Sequence, residues 1–322
     1  MIVTVTASPA VDWTVTVDEF ALDAVNRVTN TVREASGKGL NVSWALHRAG
    51  VATKAIFPGG GDTGRFLADT LETAGLPYAH IQTPEEVRTN ISLLSPGHAT
   101  KINEPGRPLA AHHIAQLTEA VVAAADAARL VVLCGSLPPG MDPSYPRSVV
   151  ARLHGLVPVA IDTSGLPLEL VLEAQPALIK PNVHELAELV ECEIVTLGDA
   201  VAAAREAIRR GAQAVLASLG ADGAIYVDAR QALIASARDI PFANSVGAGD
   251  ALLAGFVAFE ASPRQRLRNA VLWASSAVAH HSTLFPIRED FADRIAVDVL
   301  GDPDLRLSEP SASLRPTRVI ER

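Results

Sequence analysis

Gly247, Ala248, Gly249 and Asp250 stand in the run NSVGAGDALLAGF, residues 244 to 256, where a flexible turn gives way at once to strong helix formers. Glycine is costly at a helix start unless something must approach the backbone closely. A helix start also exposes amides without partners, and the helix dipole favours negative charge beside them, so this turn is a ready anion hole. Asp250 in the first helical turn would be an odd companion for a phosphate if repulsion were its only effect. It makes sense as a base that takes a proton from a hydroxyl attacking phosphorus. The same four residues also suit a helix start with no ligand, because glycine before a helix and aspartate in its first turn stabilise it unaided.

A second glycine-rich stretch, ASGKGLNVSWALHRAG at 35 to 50, looks like a phosphate loop but satisfies neither GxxxxGK[ST] nor GxGxxG. No strand is followed by GxGxxG with an acidic residue about 20 positions on, so a dinucleotide-dependent oxidoreductase lacks its signature.

These residues need a scaffold. Short β-rich runs at 2–6, 129–135, 157–162, 177–182 and 214–220 alternate with helical patterns at 39–49, 63–74, 111–127, 144–154, 183–190 and 199–210. Apolar strands separated by amphipathic helices predict a doubly wound, mostly parallel α/β sheet with helices on both faces, which binds ligands at the carboxyl ends of its strands. Residues 12–34 and 88–104 break the rhythm by alternating polar and apolar side chains, and predict a small separate sheet with one wet face. A further helix is expected at 264–281, ending in His280 and His281; like His112 and His113 at a helix start, these histidines are given no chemical role.

With 322 residues, 48% of them hydrophobic, the chain suits one large α/β domain with a small appendage. A net charge of -9 argues against nucleic acid as a partner, since a phosphate backbone asks for clustered Lys and Arg. Only four of the 27 basic residues are lysines, among them Lys38, Lys101 and Lys180. Cys134 and Cys192 have no CxxC spacing and read as reduced. No basic-then-apolar leader and no apolar run of about 18 residues occurs, so the expected location is the cytoplasm, with no membrane partner.

The motifs SPAVD, SGKGLN, GGGDTG, RTN, TKINEPG, CGSLPPG, IKPNVHE, SLGADG and NSVGAGD follow one another over residues 8–250. Together they resemble the PfkB, or ribokinase-type, carbohydrate kinases, and most of all the 1-phosphofructokinase and tagatose-6-phosphate kinase branch, over residues 1–290. The resemblance implies that Asp250 is the catalytic base and that the amides of Gly247, Ala248 and Gly249 neutralise charge on the phosphoryl group leaving ATP. It places Asp12, Gly37, Lys38 and Asn41 on the sugar, where carboxylate and amide suit hydroxyls. Lys38 fits an acceptor that already carries phosphate, with Arg88 and Ser136 as further contacts to that phosphate and Lys101 a weaker one. Arg88 as a solvated strand residue and Ser136 as a stabiliser of its Pro-rich turn are the plain alternatives.

Asn182 and Glu185 match an Asn-x-x-Glu pattern that the family links to magnesium and phosphate. One helical turn apart, they can hold Mg2+ through its waters, and they fit a capping box equally well. Lys180 is a candidate for the nucleotide phosphates, and Ser218, Gly220 and Gly223 for a turn against adenine. Departures from the branch are Ser8 where Asn is common, Ser36 where Gly is, Trp13 beside Asp12, and three successive glycines in PGGGDTG.

The expected organisation is a kinase domain over 1–300, with a β lid from 11–34 and 84–106 and a loosely ordered tail at 301–322. Closure of the lid over the sugar would exclude water, and the exposed lid sheet calls for a partner, hence a homodimer through the lid. The expected reaction is phosphorylation of fructose 1-phosphate by ATP with Mg2+. Tagatose 6-phosphate and fructose 6-phosphate come next as acceptors, and a free-sugar kinase or a silent sugar-binding protein comes last.

Overall fold

Ile2–Thr6 (β1) has the sequence IVTVT, and all five side chains are buried. A strand buried on both faces must be covered by helices on each, as the sequence pattern demanded. The computed structural model describes residues 1–282, 284–299 and 302–311. Its chain divides into two units, Met1–Pro143 with Gly155–Val157, and Ser144–His154 with the described residues from Pro158 onward.

After β1 the first unit continues through β2 (Ala10–Val17), β3 (Val28–Ser36), α1 (Lys38–Arg48), β4 (Thr53–Gly60), α2 (Gly61–Thr73) and β5 (Tyr78–Glu86). It then adds β6 (Arg88–Ser95), β7 (His98–Asn103), α3 (Ala111–Ala125) and β8 (Leu130–Cys134). Strands β8, β1, β4 and β5 lie side by side in that order, all parallel. Phe57, Leu40, Leu46, Leu67 and Leu117 are fully buried in this unit's core. The remaining strands form a separate sheet in the order β3-β2-β6-β7. The separate sheet is present as expected, but exposure follows strand position rather than alternating along each strand: β6 is half-buried throughout and β7 wholly exposed.

The second unit holds α4 (Tyr145–Leu153), β9 (Val159–Asp162), α5 (Leu166–Val171), β10 (Leu178–Ile179), α6 (Val183–Val190), α7 (Leu197–Arg209) and β11 (Ala214–Ser218). Beyond these come β12 (Ala224–Asp228), β13 (Ala232–Ala237), α8 (Ala248–Val257), α9 (Pro263–Val278) and β14 (Ile295–Val299). Strands β9 to β11 are parallel neighbours, and β11 to β14 continue as an antiparallel meander. Helix starts follow their local chemistry: Thr196 and Asp199 form a capping box on α7, and Ser262 caps α9 ahead of Pro263.

Four expectations change. Of the lid segment expected at 84–106, residues 84–86 end β5 in the parallel sheet, and the small sheet takes up the chain only from Arg88. The strand expected at 177–182 shortens to Leu178–Ile179, because Pro181 cannot donate to a ladder. The helix expected at 264–281 ends at Val278. The tail is not loose over 302–311: Leu307 is buried, the Leu307 amide donates to the Val195 carbonyl at 3.0 Å, and that of Leu197 to Leu305 at 2.9 Å. One apolar side chain and a row of backbone bonds suffice to pin a polar segment. The rest of the 301–322 tail lies outside the described residues.

Candidate active site

The first unit gathers the residues expected on the sugar. Asp12 stands on β2 with Glu34 opposite on β3 and Asn90 opposite on β6. Its carboxylate accepts from Ser36 Oγ at 2.6 Å and from Asn90 Nδ2 at 3.0 Å. Ser36 Oγ also lies 3.4 Å from Asn41 Oδ1, so Asp12, Ser36 and Asn41 form one polar chain. Gly37 precedes α1 with φ 128°, and a Cβ there would stand 2.7 Å from Thr6 Cγ2, so only glycine lets the chain turn from β3 into α1 this close to β1. Lys38 opens α1, and a Cβ built on Gly135, just after β8, would stand 3.9 Å from the Lys38 Cβ, with exposed Ser136 next in the chain.

Arg88 begins β6 opposite Ala10, half-buried, and donates from a terminal nitrogen to the Ser8 carbonyl at 3.4 Å. Its Nε is buried without a hydrogen-bond partner. Burial pushes the guanidinium pKa down, and the Asp12 carboxylate partly restores it. Ser8, Glu85, Glu86, Arg88, Arg107 and Pro138 all line one cavity of this unit. Lys101 is exposed on β7, opposite Ser92.

Ser36, Asn90 and Arg107 were not singled out as ligands in the sequence. A signal existed for Asn90, since in RTN it stands two residues from Arg88 on one strand and shares its face. The helix start in GGGDTG serves an internal anion: the Glu86 carboxylate, packed against Gly61, accepts from the Asp62 amide at 3.0 Å, the Thr63 amide at 2.9 Å and the Thr63 hydroxyl, filling the start of α2.

The second unit gathers the residues expected on the nucleotide. Gly247 caps α8 with φ 80°, a left-handed conformation suited to glycine, and no side chain caps this helix start. Asp250 lies in the first turn, 7% exposed. Of the three amides expected to face an anion, that of Ala248 already donates to the Ser245 carbonyl at 3.3 Å. Lys180 is buried and its ammonium lies 3.3 Å from the buried carboxylate of Asp162. A Cβ built on Gly249 would stand 3.6 Å from Lys180 Nζ, so the cation sits against the turn itself and adds its charge to the helix dipole there.

Asn182 and Glu185 form the capping box of α6: Asn182 Oδ1 accepts from the Glu185 amide at 2.8 Å, and Glu185 Oε2 from the Asn182 amide at 2.9 Å. Ser218 bridges to Asn182 as a parallel strand neighbour, its amide donating to Pro181 at 3.1 Å. Lys180, Asn182 and Ser218 thus converge at the carboxyl ends of β10 and β11. Gly223 answers to packing, because a Cβ there would meet the Ala235 carbonyl oxygen at 2.0 Å.

Among the described residues, no three His, Cys, Asp or Glu side chains are arranged to hold a metal ion. Magnesium fits differently: with Oε2 of Glu185 given to the cap, the other oxygen can accept a hydrogen bond from a metal-bound water. No described helix is long and apolar enough to cross a membrane.

The family described as pfkB family carbohydrate kinase matches residues 2–289. A 1-phosphofructokinase of Haloferax volcanii is 37% identical over 296 residues, 90% of this chain and 95% of that protein. A tagatose-6-phosphate kinase of Staphylococcus epidermidis is 32% identical over 79% of this chain and 84% of its own. Among solved structures, phosphofructokinase-2 from Escherichia coli in complex with fructose-6-phosphate has a TM-score of 0.83 and 28% identity, covering 91% of this chain and 98% of that one.

Proposed function

This chain belongs to the pfkB family of carbohydrate kinases, phosphotransferases that act on a sugar hydroxyl, and from that premise we propose ATP-dependent phosphorylation of fructose 1-phosphate to fructose 1,6-bisphosphate. The observation that carries the choice of a phosphorylated acceptor is Arg88, whose Nε is buried with no partner beside the Asp12 and Asn41 chain. A guanidinium held there needs an anion, and a phosphate can take two parallel N–H donors. Lys38 and Ser136 join it on that phosphate, while Asp12 and Asn41 take the sugar hydroxyls.

Asp250 removes the proton from the acceptor hydroxyl as its oxygen forms the bond to the γ-phosphorus and the bond to ADP breaks, a role worth about 10² to 10⁴ in rate. Amides of the Gly247–Gly249 turn and the Lys180 ammonium offset the charge that collects on the transferred group. Ser218 and the Gly220–Gly223 turn would lie against adenine. Glu185 would hold magnesium through water, and magnesium when bound supplies charge neutralisation on the phosphate oxygens.

Tagatose 6-phosphate and fructose 6-phosphate are the second reading, favoured by the relatives that carry those names. The small sheet is the proposed lid. Phe20, Leu22, Val25, Val28, Val32 and Ile102 are exposed apolar residues of that sheet or its β2–β3 connection, which supports pairing of two copies there. ADP release measured with fructose 1-phosphate, tagatose 6-phosphate, fructose 6-phosphate and free ribose tests the assignment. Highest kcat/KM is expected with fructose 1-phosphate, and turnover of ribose with none on any phosphosugar would overturn it.

A further inference from the structure

Residues 302–311 run as a strap over the second unit. Gly198 donates its amide to the Pro303 carbonyl at 2.8 Å, Leu307 to Val195 at 3.0 Å and Ser311 to Ile194 at 2.9 Å. Midway, Ser308 binds both oxygens of one carboxylate: its amide reaches Asp222 Oδ2 at 2.6 Å and its hydroxyl reaches Oδ1 at 2.8 Å. At the far end the Ser311 carbonyl lies 3.2 Å from Nδ1 of His184, which stands between Asn182 and Glu185.

Asp222 closes the short turn Gly220–Asp222. That turn is closed by the Leu219 amide on the Gly223 carbonyl at 2.8 Å, while its inner bonds are longer, 3.2 Å from the Asp222 amide to Leu219 and 3.3 Å from the Gly223 amide to Gly220. Inside a single 3-10 turn hydrogen-bond geometry is poor, so anchors from outside add to what holds its residues in place. Ser308 supplies two, both to a charged acceptor and therefore of the stronger kind. Glu309 closes against the same turn, since a Cβ on Gly220 would stand 2.7 Å from its Oε2.

We propose that the 302–311 strap is a positioning element of the nucleotide half-site, in which the Ser308–Asp222 latch sets the Gly220 turn for the base of ATP. This rests on the reading that SLGADG faces adenine. Ser308 and Asp222 act through the turn and need not touch the ligand.

The test uses the full chain carrying Ser308→Ala, Asp222→Ala or Ser308→Thr, with ATP and fructose 1-phosphate varied in turn, and amide hydrogen exchange over 218–224 with and without ADP. Each alanine variant should raise KM for ATP about tenfold, with kcat and the sugar KM held within about twofold, and Ser308→Thr should restore the ATP KM. ADP should protect 218–224 in the unaltered chain. Protection with an unchanged ATP KM in both alanine variants overturns the latch and leaves the adenine reading standing. Absence of protection overturns both. Parallel losses in ATP and sugar parameters, with a lowered unfolding midpoint, make the strap structural only and overturn the proposal.

Discussion

Replacing Lys180 with methionine would remove a cation that is 5% exposed and 3.3 Å from Asp162, which is fully buried. Breaking a buried pair from one side strands the other charge, which costs about 3–5 kcal/mol, a large part of a typical total of about 5–15 kcal/mol. With a urea slope of about 3 kcal/mol/M, the unfolding midpoint should fall by about 1 M or more. Adding Asp162→Asn removes the stranded charge, so the double variant should recover most of that loss. Activity should not recover with it. The Lys180 Nζ stands 3.6 Å from where a Cβ on Gly249 would be, and losing a charged donor to phosphate should lower kcat/KM for ATP about tenfold to a hundredfold in both variants. Urea unfolding followed by fluorescence and ADP release by a coupled assay read the two effects separately. A single variant with an unaltered midpoint refutes the buried-pair argument, and a double variant with unaltered kinetics refutes the role on phosphate.

Asp250→Asn should still bind ATP and sugar in a titration calorimeter while turnover falls about 10² to 10⁴; normal turnover would remove the base from the mechanism. Leu22→Asp with Val25→Asp puts charge on residues 80% and 83% exposed, and light scattering should then report a monomer where the unaltered chain reports a pair. The Glu86 carboxyl is held below its ordinary 4.5, first by the Thr63 hydroxyl and then by the Thr63 and Asp62 amides. A depressed folded pKa stabilises above 4.5 and loses that contribution as pH falls through the folded value, so the gap in melting temperature between the chain and Glu86→Gln should be constant near neutrality and shrink in acid. A gap that widens in acid would contradict the sign.

Periodicity carried the parallel half of the fold because its strands are continuous apolar runs. IVTVT at β1 matches residue for residue, and RLVVLCG contains β8. Strand β4 escaped notice because it ends in Pro58, Gly59 and Gly60, residues whose own preferences oppose a strand and which only tertiary pairing places there. In the meander, β13 is alanine-rich with little β preference, and β12 and β14, though they carry Ile, Tyr and Val, are five residues each, too short to give a pattern that stands out. In the site, glycine spacing pointed to the Gly247 turn and the Gly37 entry to α1. Asp162 was invisible for a different reason: its meaning lies in a partner 18 positions on, and ion pairs across parallel strands leave no local spacing. Of the two readings of Asn182 and Glu185, the structure shows the capping box, which leaves one carboxylate oxygen over for the other.

Asp12 and the exposed Phe20 and Leu22 are joined by a single run of chain, with β2 reaching Val17 before the apolar connection starts. Extended backbone that is hydrogen-bonded on both sides moves as one rod. If copies pair through that connection, as proposed, acceptor occupancy and association would become reciprocal: whatever factor the sugar adds to pairing, pairing would add to sugar affinity. Kinetics taken at very low enzyme concentration would then understate how well the acceptor is held.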